Sequence, residues 1–153
     1  MSQYEYTARL APIDKTIEVL TLDGPIYERF TRWSFLGQVD APEQVTFNVR
    51  HSEKISGRLN WLGLAGGWWC GRFRLDHTLR GAYAQDALEV GTPVSIGFRR
   101  LLSPELGHSD IVQHQMARLD EVSLVDEGAI EGAEVILKLE IPRPSPRARG
   151  CTG

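Results

Sequence analysis

Short runs of β-branched, aromatic and aliphatic residues, each cut off by glycine, proline or a polar turn, constrain this chain more than any other feature. Residues 45–49 (Val-Thr-Phe-Asn-Val) alternate apolar and polar side chains, the period of a half-buried strand. Residues 4–10 alternate in part, and residues 16–22 are rich in β-branched types before the turn Asp23-Gly24-Pro25. These two segments read as a hairpin joined across residues 12–15. Residues 28–40 are aromatic and irregular. Residues 55–64 and 68–75 read as a strand pair about the turn Ala65-Gly66-Gly67. Further strands are expected over 93–102, 118–125 and 134–141, with 108–116 a strand or a mobile loop and 128–131 a connection or short helix.

Only one stretch carries helical spacing. Leu79, Tyr83, Ala87 and Val90 fall on one helical face after Asp76 or Thr78 as caps, and Gly91 stands where a helix-ending glycine belongs. Many short strands with one central helix predict a β-rich α+β domain. A closed or partly closed β-barrel is the expected architecture, because closure removes exposed strand edges. The 153 residues suffice for one domain with a real core, placed at 1–141. Residues 142–153, rich in proline and arginine, lack the apolar content to bury themselves and are expected to be a disordered tail.

The composition excludes several classes. A net charge of −3 and scattered arginines do not make the basic face of a nucleic-acid binder. Cys70 and Cys151 form no metal or disulfide pattern, and Cys70, behind two tryptophans, reads as core. The start of the chain has no signal-peptide pattern, and no apolar run is long enough to span a bilayer. The expectation is a protein of a reducing cytoplasm with no membrane contact. His77, His108 and His114 with Asp110 lack any metal-ligand spacing, and a polar loop accounts for them. No metal and no cofactor are expected. Trp33, Trp61, Trp68 and Trp69 read as core or a protein-binding patch rather than a platform for bases.

Three segments carry chemistry. Ser95, in Val-Ser-Ile-Gly-Phe, stands among apolar residues with Gly97 two positions on, where a hydroxyl needs a partner. His51 ends the clean strand 45–49, and an imidazole there can take and return a proton near neutral pH. Glu121, in Leu-Asp-Glu-Val-Ser-Leu-Val, shares a face with Ser123 by alternation, while Asp120 goes with Val122 and Leu124. A carboxylate there can orient an imidazole. Each signal alone is weak; a bonded strand serine, a turn histidine and a solvated acid explain them individually.

In combination they resemble the caudovirus prohead (capsid-maturation) protease family, typified by lambdoid-phage head maturation proteases. The resemblance runs from His51 and Gly57-Arg58, through Trp68-Trp69-Cys70-Gly71-Arg72-Phe73 and the helical segment 79–88, to Ser-Ile-Gly-Phe and residues 119–125. Upstream, residues 24–30 are also similar to the segment that precedes the family's histidine. The sequence departs from the family in Ser52 after the histidine, in the two tryptophans, and over 103–115. The resemblance implies a fold similar to the herpesvirus assembly protease, a β-barrel flanked by helices. It implies cleavage of scaffold and major capsid protein segments inside the procapsid, in the host cytoplasm. It places the nucleophile at Ser95, the general base at His51 and the orienting acid at Glu121. Asp120 is the alternative acid, since a one-residue register change exchanges their faces. Backbone amides near Gly97, or Arg99 or Arg100, are the candidate oxyanion donors, and a solvated face is the commoner explanation of two arginines on a strand. A homo-oligomer is compatible with this reading. The competing expectation is a catalytically inactive β-barrel of phage assembly, distinguished by whether histidine, serine and acid share one side of the sheet.

Overall fold

The structure, a computed structural model, describes residues 3–52, 54–76, 79–102 and 110–142. The described chain is β-rich with one α-helix. Its strands are β1 (Gln3–Pro12), β2 (Thr16–Thr21), β3 (Gly24–Phe30), β4 (Thr46–Val49), β5 (Ile55–Ala65), β6 (Trp68–Leu75), β7 (Val94–Leu102), β8 (Ile111–His114), β9 (Met116–Leu124) and β10 (Val135–Ile141). The helix α1 is Leu79–Ala87, between β6 and β7. Two single 3₁₀ turns, Leu36–Gln38 and Pro42–Gln44, lead into β4.

Seven strands form one sheet in the order β10-β1-β6-β5-β4-β9-β7, and β2-β3-β8 form a second, smaller one. The large sheet wraps one face around the core. On β1, Tyr6, Ala8 and Leu10 point inward at alternate positions, and on β6 Trp69, Gly71, Phe73 and Leu75 do the same. Tyr6, Phe73 and Phe47 stack through the middle, with ring centroids 5.4 and 4.2 Å apart. Phe30, Phe35 and Trp69 extend this core toward the small sheet, and the Trp69 indole donates to the Thr31 carbonyl at 2.8 Å. Such close packing fixes the strands from below and leaves the outer face of β4, β9 and β7 free for polar groups.

The edge strands β10 and β7 approach each other where they begin. Pro93 bridges Glu134, the Val94 amide donates to Ala133 and the Val135 amide to Thr92, both at 3.0 Å. The Gly91 amide also donates to the Val135 carbonyl at 2.8 Å, but β7 and β10 are not paired as strands, so the sheet is not a closed barrel.

Several expected elements differ. β1 does not pair with β2; it lies between β6 and β10, and the hairpin is β2–β3, closed by Gly24 at φ 110°. The reason is burial: Tyr6, Ala8 and Leu10 are fully enclosed in the main core, whereas Ile17 of β2 packs against it only partly buried. The expected Leu79-Tyr83-Ala87-Val90 stripe is not the buried face at Tyr83, Ala87 and Val90, and the side chain of Leu79 lies outside what is described. Ala84 and the following Leu88 are buried, while Tyr83 and Val90 are mostly exposed. Gly81 replaces a larger residue on the inner face because a Cβ there would collide with the Asp76 carbonyl. Gly91 has the expected left-handed backbone, φ 92°. Residues 128–131 are turns and bends rather than a helix. Ala65-Gly66-Gly67 turns as expected, with φ of 57° and 80° at the two glycines. The tail from 143 lies outside the described residues. Among the described residues no helix is long and apolar enough to cross a membrane.

Candidate active site

β9 lies between β4 and β7, parallel to the first and antiparallel to the second. Two rungs cross these three strands. Asn48, Ser123 and Ser95 form one; Thr46, Glu121 and Gly97 form the next. Their neighbours Val94, Val122 and Leu124 are buried in the core. Alternation therefore turns both rungs to the outer face. Ser95 and Glu121 are diagonal neighbours there, a relation that spans roughly 7–8 Å between backbones and brings longer side chains within reach.

A β-bulge sets this geometry. Gly97 pairs with Glu121 but Phe98 pairs with Leu119, so Asp120 is an extra residue on β9. The bulge keeps both Leu119 and Val122 in the core, three positions apart, and turns both intervening carboxylates outward. The expectation that Asp120 shares the face of Val122 and Leu124 is corrected by this bulge. Asp120 instead binds the Arg99 guanidinium through both oxygens, each at 3.1 Å, with Arg118 at 3.6 Å.

Glu121 meets the imidazole. His51 Nδ1 and Glu121 Oε1 are 2.5 Å apart. A carboxylate only accepts, so Nδ1 carries the proton and Nε2 is left to act as a base. The other carboxylate oxygen, Oε2, accepts from the Asn48 amide at 2.7 Å. The His51 side chain is 48% exposed and that of Glu121 21%, so the pair opens to solvent on the imidazole side.

The backbone before the imidazole is bent sharply. Arg50 and His51 both take left-handed conformations, φ 50° and 56°. Such a conformation costs a non-glycine residue about 1–2 kcal/mol and persists only where the surroundings impose it. Here the Arg50 amide donates to the Leu124 carbonyl at 2.8 Å and the Ser52 amide to Val49 at 3.0 Å. The bend carries the chain off the end of β4 and folds His51 back over Glu121.

Gly97 is the room Glu121 needs. A Cβ at this position would lie 2.7 Å from Glu121 Cγ and 3.1 Å from Oε1. Its φ lies outside the left-handed region, so the requirement is space rather than backbone freedom. The glycine of Ser-Ile-Gly-Phe is thus explained by the carboxylate across from it.

His51 meets Glu121 on the outer face that also carries Ser95, one diagonal step away from Glu121. Among the described residues no hydrogen bond joins Ser95 Oγ to His51 directly. The guanidinium groups of Arg99 and Arg100 are engaged by Asp120 and by Glu28, the latter at 3.1 Å. Arg100 therefore belongs to a separate cluster with Glu28 and His114, whose Nε2 is 3.2 Å from the same Glu28 oxygen. His114 does not sit in a polar loop; it is fully buried on β8 between Phe30 and Phe98. His77 and His108 lie outside the described residues, and among those described no group of three or more potential ligands is placed to hold a metal. Cys70 is buried, which pushes its thiol pKa up and removes it from nucleophilic chemistry. Of the tryptophans, Trp69 is core; Trp33, Trp61 and Trp68 each carry an arginine over the ring, Arg32, Arg72 and Arg9.

Sequence reasoning missed Asn48, which it read only as the polar member of an alternating strand. Asn48 is 4% exposed. The available signal was an amide in the middle of a strand, three residues before the histidine. No protein-family model, curated protein or solved structure matches this chain.

Proposed function

We propose that the protein is a serine endopeptidase of the prohead type, cutting scaffold and major capsid protein segments inside the assembling procapsid in the host cytoplasm. The observation that carries this reading is the His51 Nδ1–Glu121 hydrogen bond of 2.5 Å, made on the outer-face rungs that also hold Ser95. An imidazole fixed by a carboxylate through one nitrogen presents the other as a general base.

In this mechanism Ser95 Oγ attacks the scissile carbonyl while His51 Nε2 takes its proton. The imidazolium then protonates the leaving amine, and Glu121 stabilises its charge throughout. Water, deprotonated by the same nitrogen, releases the acyl group. Backbone amides of β7 near Gly97 are the oxyanion donors in this reading, because both arginines beyond them already neutralise carboxylates. β7 is an edge strand, so alternate N–H and C=O groups along it are open to an extended substrate. The large sheet serves as a partly closed barrel in this scheme, supported by the bridge between Pro93 and Glu134.

The alternative is a catalytically inactive barrel of phage assembly. On its side stands the lack of a direct Ser95–His51 hydrogen bond among the described residues. Catalytic hydrogen bonds are often completed only when substrate binds, so this observation weighs less than the His51–Glu121 pair. Co-expression with the major capsid protein of the same virus, read by intact mass, separates the two. Discrete cleavage of capsid, scaffold or the protein's own tail, lost in Ser95→Ala, is the expected result. Full-length partners inside assembled shells, identical in wild type and Ser95→Ala, would refute it.

A further inference from the structure

We propose that Asn48 is a positioning residue: it holds Glu121 in the orientation that receives His51, and its loss slows the nucleophile without disturbing the fold. This rests on the protease reading for its catalytic consequence, but the positioning itself does not.

The carboxylate is divided between two donors. Oε1 takes His51 Nδ1 and Oε2 takes Asn48 Nδ2 at 2.7 Å. Glu121 side chains have three rotatable bonds, and a carboxylate held at one oxygen alone can swing about it. A second hydrogen bond from a buried amide on a neighbouring strand fixes the plane of the group. Asn48 is suited to this because β4 is clamped on both sides, by β5 and by β9.

The energetics point the same way. The amide carbonyl Oδ1 of Asn48 is buried with no partner among the described residues, and so is the hydroxyl of Ser123, its rung neighbour. An unpartnered buried polar atom costs about 1–3 kcal/mol. Stability alone therefore favours an apolar side chain at position 48. Among the described residues, the hydrogen bond that the asparagine side chain contributes is the one to Glu121.

Two variants test this, each with the rate of Ser95 phosphonylation by a fluorophosphonate probe and with the NMR titration of the His51 ring. In the labelling step Ser95 Oγ forms a bond to phosphorus, fluoride leaves, and His51 takes the serine proton. Asn48→Leu removes the donor and fills the space. It should unfold at or above the wild-type temperature, bind the probe with unchanged KI, and react about 10- to 100-fold more slowly in kinact. Asn48→Asp places a second carboxylate beside Glu121. Its added negative charge should move the acid limb of the labelling profile up. A residue that served only the fold would leave the kinact of a folded Asn48→Leu protein at the wild-type value. Wild-type kinact in a folded Asn48→Leu protein would overturn the proposal, whatever Asn48→Asp does to the pH profile. A wild-type protein whose Ser95 takes no label, while the uncharged Asn48→Leu moves the His51 ring titration, would support the positioning and sink the protease reading.

Discussion

Gly97→Ala tests the site with a single methyl group. The added Cβ would lie 2.7 Å from Glu121 Cγ, where ordinary van der Waals contact begins at 3.4 Å, so the side chain must retreat by about 0.7 Å. Ordinarily a flexible glutamate yields at little cost. Here its two oxygens are tied to His51 and Asn48, at 2.5 and 2.7 Å, and neither bond survives such a shift intact. The effect on the fold is the difference of two terms. Alanine in a strand gains about 0.5–1 kcal/mol over glycine in backbone entropy. Overpacking costs about 1–3 kcal/mol. The net destabilisation is therefore about 0–2.5 kcal/mol. The effect on catalysis is larger, because a displacement near 1 Å costs about 100-fold in rate. Urea unfolding gives the first quantity, and the fluorophosphonate labelling rate at Ser95 gives the second. The expected outcome is a folded protein that labels about 100-fold more slowly. A Gly97→Ala protein that labels at the wild-type rate would refute the claim that this glycine exists to make room for the acid.

Two further outcomes follow from the same geometry. Glu121→Gln should lower the labelling rate about 10³- to 10⁴-fold, as loss of the triad acid does, while Asp120→Asn, which breaks only an exposed pair with Arg99 and Arg118, should leave it unchanged; equal losses in the two would return the acid's role to Asp120. Burial, with the charge of Glu89 adding to it, pushes the Tyr6 phenol up to about 12. The unfolded phenol titrates near 10, so stability held below that pH is lost as pH rises toward 12, by at most about 1.4 kcal/mol per pH unit. Tyr6→Phe removes a buried hydroxyl that has no partner among the described residues. It should match or exceed wild-type stability at neutral pH and flatten that alkaline loss in urea unfolding, and a loss of more than about 1 kcal/mol at neutral pH would count against the unpaired hydroxyl.

Strand positions were legible because the period of two is local. Val45-Thr46-Phe47-Asn48-Val49 carries its alternation within five consecutive residues, and Ala65-Gly66-Gly67 carries its turn in the glycines themselves. Which strands pair is decided elsewhere. β1 left its sequence neighbour β2 for β6 and β10, because only there do Tyr6, Ala8 and Leu10 enter the main core. The helix was found by its spacing, yet its buried face was misjudged. Packing buries Ala84 and Leu88 and leaves Tyr83 mostly exposed.

The site divides in the same way. The sequence by itself determined which residue types were available: a serine two positions before a glycine, a histidine at a strand end, and adjacent acids on a later strand. Strict alternation along that later strand would have sent Asp120 inward with Val122, whereas the structure inserts it as a bulge and hands it to Arg99. Only the tertiary structure decided that Glu121 is the acid that meets His51, that Gly97 leaves space for it, and that Asn48 holds its far oxygen. The physical reason is that alternation is a property of one strand, while a bulge, a left-handed bend and a buried hydrogen bond are settled by neighbouring strands tens of residues away.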